Sequence, residues 1–185
     1  MKKLLVVSCV ALASVMAGSM IAYAANPKVG GAAMFENKNI VENAANSKDH
    51  TTLVAAVKAA GLVSTLEGKG PFTVFAPTNE AFDALPKGTV ETLLKPENKD
   101  KLTKILTCHV VAADAMASNV AKMIKDDGGE HDIKTVGGCV LRAKDHMGKI
   151  TLTDEAGGTA TATISDVKQS NGVIHVIDKV LLPKM

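Results

Sequence analysis

The chain is 185 residues long with a formal net charge of +2, from 21 basic and 19 acidic residues, and it contains no Trp, one Tyr and four Phe. So slight a basic surplus, with Arg142 as the one arginine, excludes the electrostatics of a nucleic-acid or acidic-lipid binder. So few aromatic rings exclude a platform for stacking bases.

The first segment reads Lys2-Lys3, then an apolar run from Leu4 to Ala17, then Gly18 to Ala24 ending in Ala22-Tyr23-Ala24. That order is the one expected of a secretion signal, residues 1–24, cut between Ala24 and Ala25. The apolar run is too short to cross a hydrocarbon core of about 30 Å, so no stable membrane span is expected. Cys9 lies within the apolar run rather than at its end, which argues against a lipid anchor. Loss of the leader removes Lys2, Lys3, Cys9 and Tyr23, leaving a charge-neutral chain whose aromatics are Phe35, Phe72, Phe75 and Phe82. The expected location is periplasmic or extracellular. Residues 25–36 read as an extension, and residues 37–183 as one domain, without a Pro/Gly/Ser-rich linker or an internal repeat.

From Asn39 to Val110 the pattern is mainly helical. Asp49 or Thr51 is placed to cap a helix whose Leu53, Val54, Val57 and Ala60 share one face, with Gly61 as its stop. A short turn with Leu62, Val63 and Leu66 ends at Gly68-Lys69-Gly70-Pro71. Phe72-Thr73-Val74-Phe75 is then a buried strand. Pro77-Thr78-Asn79 turns the chain into a helix at Glu80 to Leu85, and another is expected at Thr89 to Leu94. Pro96 and Glu97 open a longer helix with Leu102, Ile105 and Leu106 inward, running into a short strand at Cys108 to Val111.

From His131 onward the period is two. Ile133/Thr135, Val140 to Ala143, Ile150/Leu152, Thr159 to Ile164 and Val173 to Ile177 alternate as strands of antiparallel hairpins. Asp145 to Gly148 and Glu155 to Gly158 are turns, and Asn171-Gly172 suits a tight hairpin. Helices first and strands after give an α+β domain, N-terminal helices on an antiparallel β-wedge or sandwich.

Cys108 and Cys139 are the cysteines left after export, and two thiols in an exported chain invite a disulfide. The other reading is two buried free thiols packing as small apolar residues. His109 and His175 sit in apolar sequence and are read as buried imidazoles with hydrogen-bonded partners rather than as metal ligands. No zinc-type spacing supports a metal site, since His131 and His146 lie beside turns with no paired ligand. Ser165-Asp166-Val167-Lys168 has a Ser-x-x-Lys spacing, but it sits in a β-patterned run with no companion Ser-Asp-Asn box. With no Gly-x-Ser-x-Gly elbow, phosphate loop or Cys-x-x-Cys, neither an enzyme nor a cofactor is expected.

Three segments fall in order: Thr73-Val74-Phe75-Ala76-Pro77-Thr78-Asn79-Glu80-Ala81-Phe82, then Cys108-His109-Val110-Val111, then Asn171 to Pro183, which reads Asn-Gly-Val-Ile-His-Val-Ile-Asp-Lys-Val-Leu-Leu-Pro. Together they resemble the fasciclin domain, an adhesion module of secreted and cell-surface proteins. The resemblance marks Thr78, Asn79, His109, Asn171, Gly172, His175 and Asp178 as motif residues of structure or interaction. Cys108 stands where the family usually has tyrosine, which weakens the tyrosine–histidine contact associated with integrin binding. Asp166-Val167 matches the place of a family adhesion motif, beside a plain strand-end reading. The resemblance implies adhesion or protein contact, with an extracytoplasmic protein, matrix or cell-surface component as partner. The alternative is an envelope carrier of a lipid or other apolar molecule, with Met116, Met123 and Met147 as cleft-lining candidates. A sugar-binding role ranks behind both, because no Trp or Tyr remains to stack on a ring.

Overall fold

The computed structural model describes residues 26–184. The leader therefore lies outside the described residues. Strands β1 (Lys28–Val29) and β2 (Ala32–Ala33) form a small antiparallel hairpin, and helices α1 (Ile40–Asn46), α2 (Thr51–Ala60) and α3 (Val63–Leu66) follow. The stretch read as an extension packs into the domain: Val29 and Met34 are buried among the helices. Strand β3 (Phe72–Pro77) leads to α4 (Asn79–Asp83), α5 (Thr89–Leu93) and α6 (Lys99–Thr107), then β4 (Val110–Val111) and α7 (Ala117–Asp126). The C-terminal half is β5 (Glu130–Lys134), β6 (Val140–His146), β7 (Lys149–Thr153), β8 (Thr159–Gln169) and β9 (Gly172–Ile177).

The main sheet has seven strands in the order β4-β3-β9-β8-β7-β6-β5. The expected hairpins are present, with one departure from an antiparallel arrangement: β3 runs parallel to β9, from Phe72 opposite Gly172 to Pro77 opposite Ile177. A parallel pair needs a long crossover, and nearly 100 residues of helix and hairpin supply it here. Both strands lie inside the sheet and are buried on both faces.

The two faces feed two cores. Val74 and Ala76 of β3, with Ile174 and Val176 of β9, face the helical layer, where Leu53, Ala56, Leu102, Ile105 and Leu106 meet them. Phe75 and Ile177 point the opposite way, toward Val120 and Ile124 of α7 and toward Leu141, Leu152 and Ala160. Strand β8 serves both. Ala160 and Ala162 lie in the second core and Val167 in the first, because two register shifts between Ala162 and Val167 turn the strand over.

Local chemistry explains the ends of these elements. Asn39 caps α1, its side chain accepting from the Glu42 N–H while the Glu42 carboxylate accepts from Asn39. The expected cap of α2 by Asp49 or Thr51 does not occur. His50 occupies the cap position but its side chain makes no capping bond to the helix, and Asn79 reaches in from α4 to accept from Thr52 N–H at 3.0 Å and Thr51 Oγ1 at 3.1 Å. The strand expected at Cys108 begins at Val110, since Cys108 and His109 still continue the final turn of α6.

Candidate contact surface

The motif residues are used to bind backbone. His109 is fully buried; its Nδ1 lies 2.8 Å from the Ile105 carbonyl and its Nε2 accepts from the Leu181 N–H at 2.9 Å. An imidazole that donates at one nitrogen and accepts at the other is neutral, and burial pushes the His109 pKa down to about 4. His175 holds the opposite tautomer, with Nε2 donating to the Ala115 carbonyl at 2.8 Å and Nδ1 accepting from Asp166 N–H at 3.3 Å. Its ring stacks on Phe75, and burial lowers its pKa as well. Neither ring has a nitrogen left for a metal. Among the described residues no three His, Cys, Asp or Glu side chains converge on a common point.

Thr73 continues the same framework. Its buried hydroxyl donates to the Ala113 carbonyl at 2.6 Å and accepts from Ala115 N–H at 2.8 Å. Thr73 and His175 thus pin the segment 113–115 from two strands. Asp166, in the reversal of β8 with φ +59°, accepts from Ala117 N–H at 2.7 Å at the start of α7, while Val167 is buried. The Asp166-Val167 pair therefore presents one half-buried carboxylate and no exposed apolar side chain. Ser165 and Lys168 lie on this extended, irregular strand, not on one helical turn.

Asn171 is the second organising residue. Its Oδ1 accepts from Ile40 N–H at 3.1 Å, and its Nδ2 donates to the carbonyls of Leu66 and Gly68 at 2.7 and 3.0 Å. One amide joins α1, α3 and the β8–β9 turn. Gly172 beside it has φ +154°, and a Cβ there would sit 1.8 Å from the Phe72 carbonyl oxygen, so no side chain fits.

Between the segment that Thr73 and His175 pin and the turn that Asn171 holds lies an open groove of about 810 Å³. Glu36, Glu67 and Asp114 bring carboxylates to it, Lys69 and Lys168 bring ammonium groups, and Ser170 with Asn171 lies along one wall. None of these five charged groups is in an ion pair among the described residues. Met116 lines this groove, Met123 packs on the second core, and Met147 stands 93% exposed at the β6–β7 turn. The three methionines do not share a cleft.

The remaining motif residues also fasten backbone. Thr78 caps α4 through Ala81 N–H, Asn79 additionally donates to the Lys48 carbonyl, and Asp178 accepts from Thr161 N–H at 2.7 Å. Cys108 and Cys139 are joined in a disulfide, Cα atoms 5.4 Å apart, tying the end of α6 to the β5–β6 turn. Sequence reasoning missed Thr73, whose type is unremarkable in a strand, and Asp154. Asp154 is buried and accepts from the N–H groups of Ala156, Gly158 and Leu182.

The fasciclin domain family model matches residues 48–183, spanning the helices, the sheet and every residue of this framework except those of α1 and β1–β2. The chain belongs to the fasciclin domain family. It is 53% identical over 146 residues to the Synechocystis protein sll1483, an alignment covering 79% of this chain and 74% of that one. It is 34% identical to the immunogenic protein MPB70 of Mycobacterium bovis, over 76% of this chain and 66% of that protein. Identity to the transforming growth factor-beta-induced protein ig-h3 of Sus scrofa is 36%, over 71% of this chain but 17% of that much longer protein. The fold matches a fasciclin domain pair from the insect cell adhesion molecule fasciclin I, with a TM-score of 0.70 at 17% identity, covering 78% of this chain and 51% of that one. Another relative is a cell surface glycolipoprotein, MPB83 of Mycobacterium bovis, at 34% identity over 76% of this chain and 58% of that one. Among the described residues no helix is long and apolar enough to cross a membrane.

Proposed function

We propose that this fasciclin domain is an exported contact module without catalysis, which joins the cell surface or its matrix to an extracytoplasmic protein through the polar groove at Asn171. The observation that carries the reading is the division of labour among the motif residues. His175, Thr73 and Asn171 spend their hydrogen bonds on backbone and fix the walls, while Lys69, Lys168, Glu36, Glu67 and Asp114 at the groove between them are in no ion pair among the described residues. Fixed walls with unpaired charges of both signs favour a polar partner surface, where complementary charge sets register and specificity more than affinity.

Fasciclin relatives at a cell surface and in an insect adhesion molecule support the same class. The test is attachment. A strain lacking the protein is expected to lose surface attachment, and a double charge reversal, Lys69→Glu with Lys168→Glu, is expected to fail to restore it although the variant is exported and folded. Undiminished attachment in the deletion strain would sink the proposal.

A further inference from the structure

A second concavity lies in the helical layer, away from the polar groove. Its walls are Ile40, Val41 and Ala44 of α1, Val54 and Val57 of α2, and Leu62 and Val63 at α3. Its floor is Val74, Leu106 and Val110, with the imidazole of His109, whose two nitrogens already have backbone partners. Nothing in the floor or walls asks for a hydrogen bond. The one charged residue is Lys58, exposed on α2 at the edge of the cleft and in no ion pair among the described residues.

The enclosed volume is about 40 Å³, room for a methyl or two and nothing broader. Beyond that depth Val41, Ala44, Val54, Leu62 and Val63 are half-buried and carry an aliphatic track to the surface. No Phe, Tyr or Trp ring lines it, and the one ring present is the His109 imidazole of the floor. A narrow aliphatic track with a cation at one edge has the chemistry of a single alkyl chain that ends in an anion.

We propose that this cleft between α1, α2 and α3 is a binding site for a fatty acid, with the chain on Val41, Val54, Leu62 and Val63, its tip in the pit above Leu106, and the carboxylate at Lys58. The site is separate from the polar groove and does not depend on the contact function. A protein that carries an acyl chain from the envelope would use it as a lipid-sensing or lipid-holding pocket.

The probe is decanoate, below its micelle concentration, titrated into the purified protein by calorimetry and by amide NMR. One saturable site is expected, with shifts confined to α1, α2 and α3. Octanoate is expected to bind about an order of magnitude more weakly, at roughly fourfold per methylene. Lys58→Glu should weaken decanoate at least tenfold and Lys58→Arg should leave it nearly unchanged. Val63→Glu should abolish binding, and retained amide dispersion would show that this variant folds. The proposal is overturned if decanoate gives no saturable binding, if its shifts fall on the groove at Asn171, or if decyltrimethylammonium binds equally well. It is also overturned if sedimentation shows a dimer that buries these helices. Lys58→Glu is expected to leave surface attachment intact, which separates failure here from failure of the contact reading.

Discussion

The Nε2 of His109, at the end of α6, accepts the backbone N–H of Leu181 at 2.9 Å across 72 residues of sequence. That bond fixes the C-terminal segment over the core, and Nδ1 at the same time holds the last turn of α6 through the Ile105 carbonyl. Replacing His109 by Ala leaves the buried Leu181 N–H without a partner, leaves the Ile105 carbonyl with only the Cys108 N–H, and opens a cavity. The expected cost is about 3–5 kcal/mol, a fall in Tm of about 10 °C or more for a domain of this size. Calorimetry on the folded variant checks it; a fall of only a degree or two would show that the segment is held by other means.

The same imidazole makes stability depend on pH. In the unfolded chain His50, His109 and His175 titrate near the ordinary value of 6.5, whereas in the folded state burial lowers all three, His109 to about 4. Below pH 6.5 the unfolded chain binds more protons, so stability is full above that value and falls as the pH drops toward the folded pKa. His109 alone accounts for about 3 kcal/mol between neutrality and pH 4. Urea midpoints are expected to decline steadily over that interval, beginning well above the range in which carboxylates protonate. A flat midpoint down to pH 5 would contradict the neutral, buried state.

Gly172 is expected to be intolerant of the smallest change. The missing Cβ would stand 1.8 Å from the Phe72 oxygen, and Gly172 pairs with Phe72 in the parallel β3–β9 register. Gly172→Ala must displace β9 from β3 and with it both cores. Asn171→Ala removes three hydrogen bonds but creates no clash, at about 2–4 kcal/mol. Thermal melts should rank Gly172→Ala below Asn171→Ala, and Asn171→Ala below the parent protein.

The Cys108–Cys139 bridge closes a loop of 31 residues. On the chain-entropy account it contributes about 3–4 kcal/mol through the unfolded state. Reduction, or Cys108→Ala with Cys139→Ala, is expected to lower Tm by about 7–15 °C while leaving the native spectrum intact, because both positions are buried and Ala fits each. An unchanged melt after verified thiol release would show that the bridge adds little.

The sequence made some of this legible and left the rest obscure for physical reasons. Alternation exposed β5 to β9, and the apolar run at Phe72 exposed a strand buried on both faces. Helix α7 was missed because its amphipathic residues Val120, Met123 and Ile124 lack a capping residue, Met116 standing at that position. Helix α1 did carry its signal, Asn39 with Glu42 three residues on. The parallel β3–β9 pair left no local trace, since pairing sense is decided by partners 100 residues apart. The same holds for Asn79, whose neighbours in sequence say nothing of the helix end it caps 27 residues earlier. At the site, the polar motif residues were visible as types, but the groove they frame was not, because its walls are brought together only by the crossover.

Asp166 decides between two roles for a motif residue. Its carboxylate caps α7 through Ala117 N–H, and its backbone is left-handed at φ +59° where β8 reverses. Asparagine tolerates that backbone and keeps an accepting oxygen but drops the charge, whereas alanine loses the cap and is strained. If Asp166 acts as a cap, Asp166→Asn should keep both stability and attachment, and Asp166→Ala should lose about 1–3 kcal/mol. A charge-based adhesion contact predicts instead that both variants lose attachment, with Asp166→Asn failing while its melting curve stays unchanged. Measuring both quantities on both variants therefore separates them: parallel losses in Asp166→Ala alone belong to the cap. Because the carboxylate lies against α7 and Val167 is buried, the expected result is the cap.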